Sequence, residues 1–293
     1  MGFIAEIGEA AIRLSVFTSV LIAMAVYELA APRRDLVAGR GRRWITNALI
    51  VVLDSVAVRI AFPLATIGAA LWADANNFGL MNQFGDSLLW SGIIAGVLGY
   101  LLLDVIIWGQ HVLSHKVSLF WRFHRMHHSD VDIDVTTALR FHPVEILASM
   151  ALKIAAVVLL GVPPLAAFIF EVVLNGMAMF NHANVRIPAR IERVMRWFVV
   201  TPDMHRVHHS ILRRETDSNY GFSLSWWDRI FSTYVAQPQD GHTGMTIGLP
   251  EYQSDKPTRL AWSLWLPFTP LIPQAEQDPV RASEDRPTGT PAE

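Results

Sequence analysis

Cysteine does not occur in the 293 residues. Its absence excludes disulfides, cysteine-ligated zinc and iron–sulfur clusters, and it leaves metal chemistry to other donors. Charge is scarce too. Asp, Glu, Lys and Arg make up 17% of the chain, against roughly a quarter in soluble domains. Hydrophobic residues supply 52%, with a mean hydropathy of +0.31, and that imbalance implies contact with lipid. A net charge of −2 lacks the basic excess of a nucleic-acid surface. Missing as well are flavin, haem and nucleotide signatures and the His-Glu-x-x-His of zinc hydrolases. So are the Glu-x-x-His pairs of carboxylate-rich di-iron bundles.

What is present is a set of long apolar runs. Residues 14–31 are long enough to span a bilayer, because about 20 residues at 1.5 Å each cover its core. Their approach carries Glu6, Glu9 and Arg13 and does not read as a signal peptide. Residues 44–72 form a second span despite Asp54, Arg59 and Pro63. The span 88–108 is the cleanest, and 143–161 and 163–180 form a tight helical hairpin about Val162, Pro163 and Pro164. The expected fold is therefore all-α: a transmembrane bundle of about four or five membrane helices under a cytoplasmic helical cap. The orientation comes from the positive-inside rule. Basic segments 33–43, 116–140 and 186–214 would face the cytoplasm, and the loops 73–86 and 161–164, without Lys or Arg, the other side. The chain divides into membrane helices (1–87), a core (88–236), a polar extension (237–272) and a Pro- and acid-rich tail (273–293) expected to be disordered.

Ten of the eleven histidines fall between His111 and His209. His111 and His115 are four residues apart and share a helix face. His124 can pair with either His127 or His128, and the third member then points about 100° away, toward a second ion. His205, His208 and His209 repeat the spelling. Eight imidazoles are too many for one tetrahedral site, so two ions are expected. His182, at the cytoplasmic end of the last span, is a ninth candidate. His142 precedes Pro143 and either ligates or shapes the entry to the next helix; His242 reads as exposed. Neutral imidazoles leave the ions' charge uncompensated, so acceptors must take the free ring N–H. Asp104, two turns before His111, is a candidate for that part; Asp203, Asn219 and Asp228 are others that could equally cap turns.

These residues stand in a recognisable frame. It comprises His111-x-x-x-His115, Trp121-Arg122-Phe123-His124-x-x-His127-His128-Ser129, Arg140-Phe141-His142-Pro143 and Asn181-His182-Ala183-Asn184. Thr201-Pro202-x-x-His205-x-x-His208-His209, Asn219-Tyr220-Gly221 and Trp227-Asp228-Arg229-Ile230-Phe231 complete it. Over roughly residues 88–236 the pattern resembles the fatty acid hydroxylase/sterol desaturase superfamily. Val112 and Gln110 depart from it, where many members carry Arg and an aromatic or hydrophobic residue. The resemblance implies an integral-membrane, non-haem di-iron oxygenase that uses O2 on a lipid C–H bond. It carries metal ligation onto His111, His115, His124, His127, His128, His182, His205, His208 and His209. Hydroxylation or desaturation would follow, with a lipid substrate entering from the bilayer and electrons from a separate reductase. Trp108, Phe120, Trp121, Phe123, Phe180, Trp226 and Trp227 would line the substrate's path or form the interfacial belt. Two other readings are a membrane metal transporter or sensor, with histidines strung along a path, and a zinc hydrolase, which needs only three protein ligands.

Overall fold

Proline and glycine set the ends of the helices. The computed structural model describes residues 2–84 and 92–271. Helix α1 runs over Gly2–Ala30 and α2 over Arg40–Ala61. Pro63 disfavours a helical conformation at Phe62, and the chain breaks there before α3, Ala65–Ala75. Helix α4 covers Gly92–Lys116 and α5 Ser118–His128. Helix α6, Pro143–Leu160, starts on a proline at its first turn and ends at Gly161 with φ 66°. Helix α7, Pro164–His182, follows after two residues. Among the described residues there is no β-strand, only isolated bridges such as Pro32 with Val185.

Among the described residues, five segments are long and apolar enough to cross a membrane: Gly8–Ala30, Arg40–Ala75, Gly92–Lys116, Pro143–Leu160 and Pro164–His182. Ile22, Val26, Val52, Val56, Val97 and Leu159 stand exposed on them, an outward apolar face suited to lipid. The chain is an integral membrane protein. Its inner packing uses small residues that let helices approach closely: Ala70, Ala156, Ala166 and Ala167 surround Leu103, Val157 and Phe170. Within the bundle, Glu171 is ion-paired with Arg13 and Lys153, the latter at 3.5 Å, and accepts from Thr66 at 2.6 Å.

The two ends of the bundle differ. At one, Leu80 N–H donates to Leu159 at 2.9 Å, and Gly79 (φ 102°) lies so close to Gly161 that a Cβ would come within 2.3 Å of its nitrogen. At the other end all the histidine-bearing segments meet. There the loop 129–142 is pulled onto α2: buried Arg43 forks onto Asp130 at 2.8 and 2.9 Å and reaches Asp134 at 2.7 Å. Arg140 binds Asn47, Ser129 and Ser263 at 2.7–3.2 Å. Short helices α8, Ala189–Met195, and α9, Pro202–His208, complete the cap, with Thr201 capping the latter through Met204 N–H. The segment 260–269 packs into the same cap: Leu266 is buried against Ile50 and Met126, and Arg125 donates to its carbonyl at 2.6 Å. The tail 273–293 lies outside the described residues, as do positions 85–91.

Candidate metal centre

Nine histidines converge at the capped end of the bundle, all of them at most 3% exposed. They fall into two groups whose ring nitrogens lie within 4.8 Å of one another. One holds His111, His115, His124, His128 and His208; the other holds His127, His182, His205 and His209. Helical geometry sorts them. On α5, His124 and His128 are four apart and share a group, while His127 turns to the second. On α9, His205 pairs with His209, also four apart, and His208 turns to the first. Helix α4 adds His111 and His115, and the end of α7 adds His182.

The hydrogen bonds behind the rings set their tautomers. Nδ1 of His111 meets the Tyr220 carbonyl at 2.7 Å, that of His182 meets Ala178 O at 2.7 Å, and that of His208 meets Ser218 O at 2.7 Å. His127 does the same with Arg140 O at 3.2 Å, and His124 Nδ1 faces Glu145 Oε1 at 2.6 Å. A carbonyl can only accept, so Nδ1 carries the hydrogen and Nε2 keeps a bare lone pair. Those bare nitrogens face each other. His111 Nε2 lies 3.1 Å from His124 Nε2, and His127 Nε2 lies 3.1 Å from His182 Nε2. His205 and His128, whose Nδ1 atoms have no hydrogen-bond partner, also bring Nε2 to 3.0 Å from His182 Nε2 and 3.2 Å from His124 Nε2. Nε2 of His208 and of His209 and both ring nitrogens of His115 have no hydrogen-bond partner.

Lone pairs opposed in this way need a cation between them. An ion about 2.0–2.1 Å from two nitrogens at a right angle sets them about 3 Å apart, the spacing found. Protons do not serve. Burial, then the neighbouring imidazoles, hold His127, His128, His205 and His209 well below the usual histidine range. Burial takes His208 down to about 3. The donor set fits a pair of imidazole-preferring metal ions, one per group.

Several expected supports do other work. Asp104 lies seven residues from His111, about 10 Å along the helix; its Oδ2 accepts from Trp227 Nε1 at 2.8 Å and Leu224 N–H at 3.3 Å instead. Asp203 pairs with Arg33 at 3.0 Å and with Arg206. Asn219 and Asp228 act through the backbone. Asn219, at φ 49°, stands between the two carbonyls that hold His208 and His111, and its amide donates to Met204 O and Val235 O at 2.9 and 2.8 Å. Asp228 accepts from the N–H groups of Tyr220 and Gly221, both at 2.9 Å. His142 is outside both groups: its Nδ1 accepts from Val144 N–H at 3.1 Å, capping α6, and Nε2 faces Leu264 O at 3.3 Å. His242, expected at the surface, is 5% exposed and 3.5 Å from Asp203. Glu145, which faces His124, is a support that the histidine spacing does not mark. A carboxylate in the first turn of a helix reads as a response to the helix dipole, although its place three residues after His142 was a usable signal.

A cavity of about 290 Å³ leads from the spans to this centre. Residues of α1, α2, α4, α6 and α7 line it, and His111 and His124 stand in its wall. Its aromatic walls are Phe17, Phe141 and Phe222, none of them anticipated. Of the aromatics that were, Trp121 packs under His115, Trp108 stacks on Phe231 at 4.5 Å, and Phe120 and Trp226 are exposed.

Residues 96–233 match the family model for fatty acid hydroxylase. The chain is 30% identical to ornithine lipid hydroxylase OlsE of Rhizobium tropici over 54% of its own length and 47% of that protein. Human alkylglycerol monooxygenase is 29% identical over 66% of this chain and 41% of its own, and rat cholesterol 25-hydroxylase 26% over 47% and 46%. The chain thus spans about half the length of the curated relatives it matches. No solved structure matches it.

Proposed function

Because residues 96–233 belong to the fatty acid hydroxylase/sterol desaturase superfamily, we propose that this protein is a membrane-bound, O2-dependent oxygenase that hydroxylates an unactivated C–H bond of a lipid. The observation that carries the reading is the meeting of a bilayer-depth cavity with two groups of buried imidazoles. Two iron ions are the proposed cofactors. His111, His115, His124, His128 and His208 would hold one, and His127, His182, His205 and His209 the other. When bound, the irons supply O2 reduction and the oxidising power for hydrogen abstraction.

The chain's own residues do the rest. The Tyr220, Ser218, Ala178 and Arg140 carbonyls orient four rings, and Glu145 sets its carboxylate against His124, offsetting positive charge that neutral imidazoles leave in place. Apolar walls from Phe17, Phe141, Phe222 and Met179 exclude water and guide a lipid chain toward His111 and His124. Each turnover converts R–H, O2, two electrons and two protons into R–OH and water. A separate reductase would deliver the electrons from the cytoplasmic side, the side to which the basic segments assign the cap. The substrate class is supported by the relatives, which are named for ornithine lipid, alkylglycerol and cholesterol. A metal transporter would need donors along a transmembrane path, whereas these gather at one end. A zinc hydrolase would leave most of the nine unexplained.

The test is metal analysis of the protein purified in lipid nanodiscs, joined to lipidomics of cells with and without it. Two irons per chain and a lipid gaining one oxygen are expected, with His127→Ala and His208→Ala losing both iron and product. Product formed by iron-free protein, or one zinc with ester hydrolysis, would overturn the reading.

A further inference from the structure

One part of the cavity wall is chemically out of place. Asp54 on α2 and Glu145 on α6 both line it. Asp54 is only 6% exposed, and its Oδ1 meets no donor. Glu145 gives Oε1 to His124, and its Oε2 meets no donor either. Three polar neighbours in the wall, Ser55, Ser149 and Lys153, are committed elsewhere. Ser55 Oγ donates to Val51 O at 2.7 Å, Ser149 Oγ to Gln110 Oε1 at 3.1 Å, and Lys153 turns to Glu171 at 3.5 Å.

A buried carboxylate oxygen without a partner is costly, and ionisable groups at membrane depth mark function. What is missing is a donor, and the cavity is where one can arrive. We infer that the cavity takes a lipid bearing an O–H or N–H group, held by Asp54 and Glu145, and that oxidation falls on carbons close to that group. The second part follows from Glu145. A donor bound at its Oε2 lies one carboxylate width and two hydrogen bonds from the His124 ring, under about 8 Å. The metal lies beyond the opposite ring nitrogen, so the ring and one metal–nitrogen bond add roughly 4 Å and hold the gripped group within about 12 Å of the ion. The remote chain end lies elsewhere. This rests on the cavity being the substrate channel of the proposed oxygenase.

The probes are hexadecan-1-ol and hexadecyl methyl ether, which share a chain but differ in the O–H. Their binding to the full-length protein in nanodiscs is measured by competition against radiolabelled hexadecanol. The alcohol should bind at least about tenfold tighter. Asp54→Leu, similar in size but without an acceptor, should bring the ratio below about twofold while iron per chain stays at the wild-type value, since Asp54 touches no histidine. Equal binding of the two probes by the wild type overturns the inference without recourse to any variant, as does an undiminished preference in Asp54→Leu. Absence of the preference in wild-type protein that carries its two irons sinks this inference alone. A preference shown by wild-type protein that takes up no iron on reconstitution and forms no product sinks the oxygenase and leaves the lipid site standing.

Discussion

Asp228 offers a direct test of how the centre is held, because it touches no histidine yet supports one. Its Oδ1 accepts from Thr233 Oγ1 at 2.7 Å, Tyr220 N–H at 2.9 Å and Trp108 Nε1 at 3.0 Å, and Oδ2 accepts from Gly221 N–H at 2.9 Å. The carbonyl of the same Tyr220 takes the Nδ1 hydrogen of His111. In Asp228→Asn the amide oxygen can serve the first three donors, which leaves its NH2 facing the Gly221 N–H. One hydrogen bond to a charged acceptor is lost, about 1.5–3 kcal/mol, and the other three weaken to neutral bonds. A total of about 2–4 kcal/mol follows. Loosening the support of a metal-bound histidine typically costs about 10–100-fold in affinity, here confined to the group containing His111. The assay is thermal denaturation in nanodiscs alongside chelator titration. The variant should denature earlier and release one metal ion before the other. Asp255→Asn, which disturbs exposed pairs with Arg259 and Arg42, is the control and should change neither measurement. If Asp228→Asn denatures and releases metal like the wild type, the backbone-borne support of His111 is refuted.

Two further outcomes are expected. Arg43→Leu strands the buried carboxylates of Asp130 and Asp134 and should destabilise the protein by about 3–5 kcal/mol. Arg43→Lys should recover only part of this, because an ammonium cannot fork across two carboxylates; equal denaturation curves for wild type and Arg43→Leu would contradict it. Burial pushes His242 from 6.5 down to about 4, against the pull of Asp203. Between those values the unfolded chain binds a proton that the folded one refuses, so stability falls as pH drops through that window and levels off below it. The slope is at most about 1.4 kcal/mol per pH unit. His242→Leu should remove that one proton's share from the dependence of Tm on pH, and superimposable profiles would count against it.

Periodicity made much of this legible. Among the described residues, apolar runs located the five segments long and apolar enough to cross a membrane, and the four-residue spacing of His111 with His115 matches their shared group. Spacing left open whether His124 pairs with His127 or His128; tertiary packing decided for His128. The supports were the hard part. Backbone carbonyls take four of the ring hydrogens, and every residue has a carbonyl, so no side-chain pattern announces Tyr220, Ser218, Ala178 or Arg140. Asp104 misled because sharing a helix face says nothing of the distance along it. His242 misled because its Gly-rich surroundings suggested a surface loop, whereas contacts with Asp203 from distant sequence bury it.

In α5 and again at the end of α9, adjacent residues serve different groups: His127 and His128, then His208 and His209. The interval between the two centres is therefore written into single peptide steps, not into the docking of one helix on another. Breathing of the spans to admit a bulky guest can widen the approach without altering that interval. A slip of either short helix by one residue would spoil both centres at once.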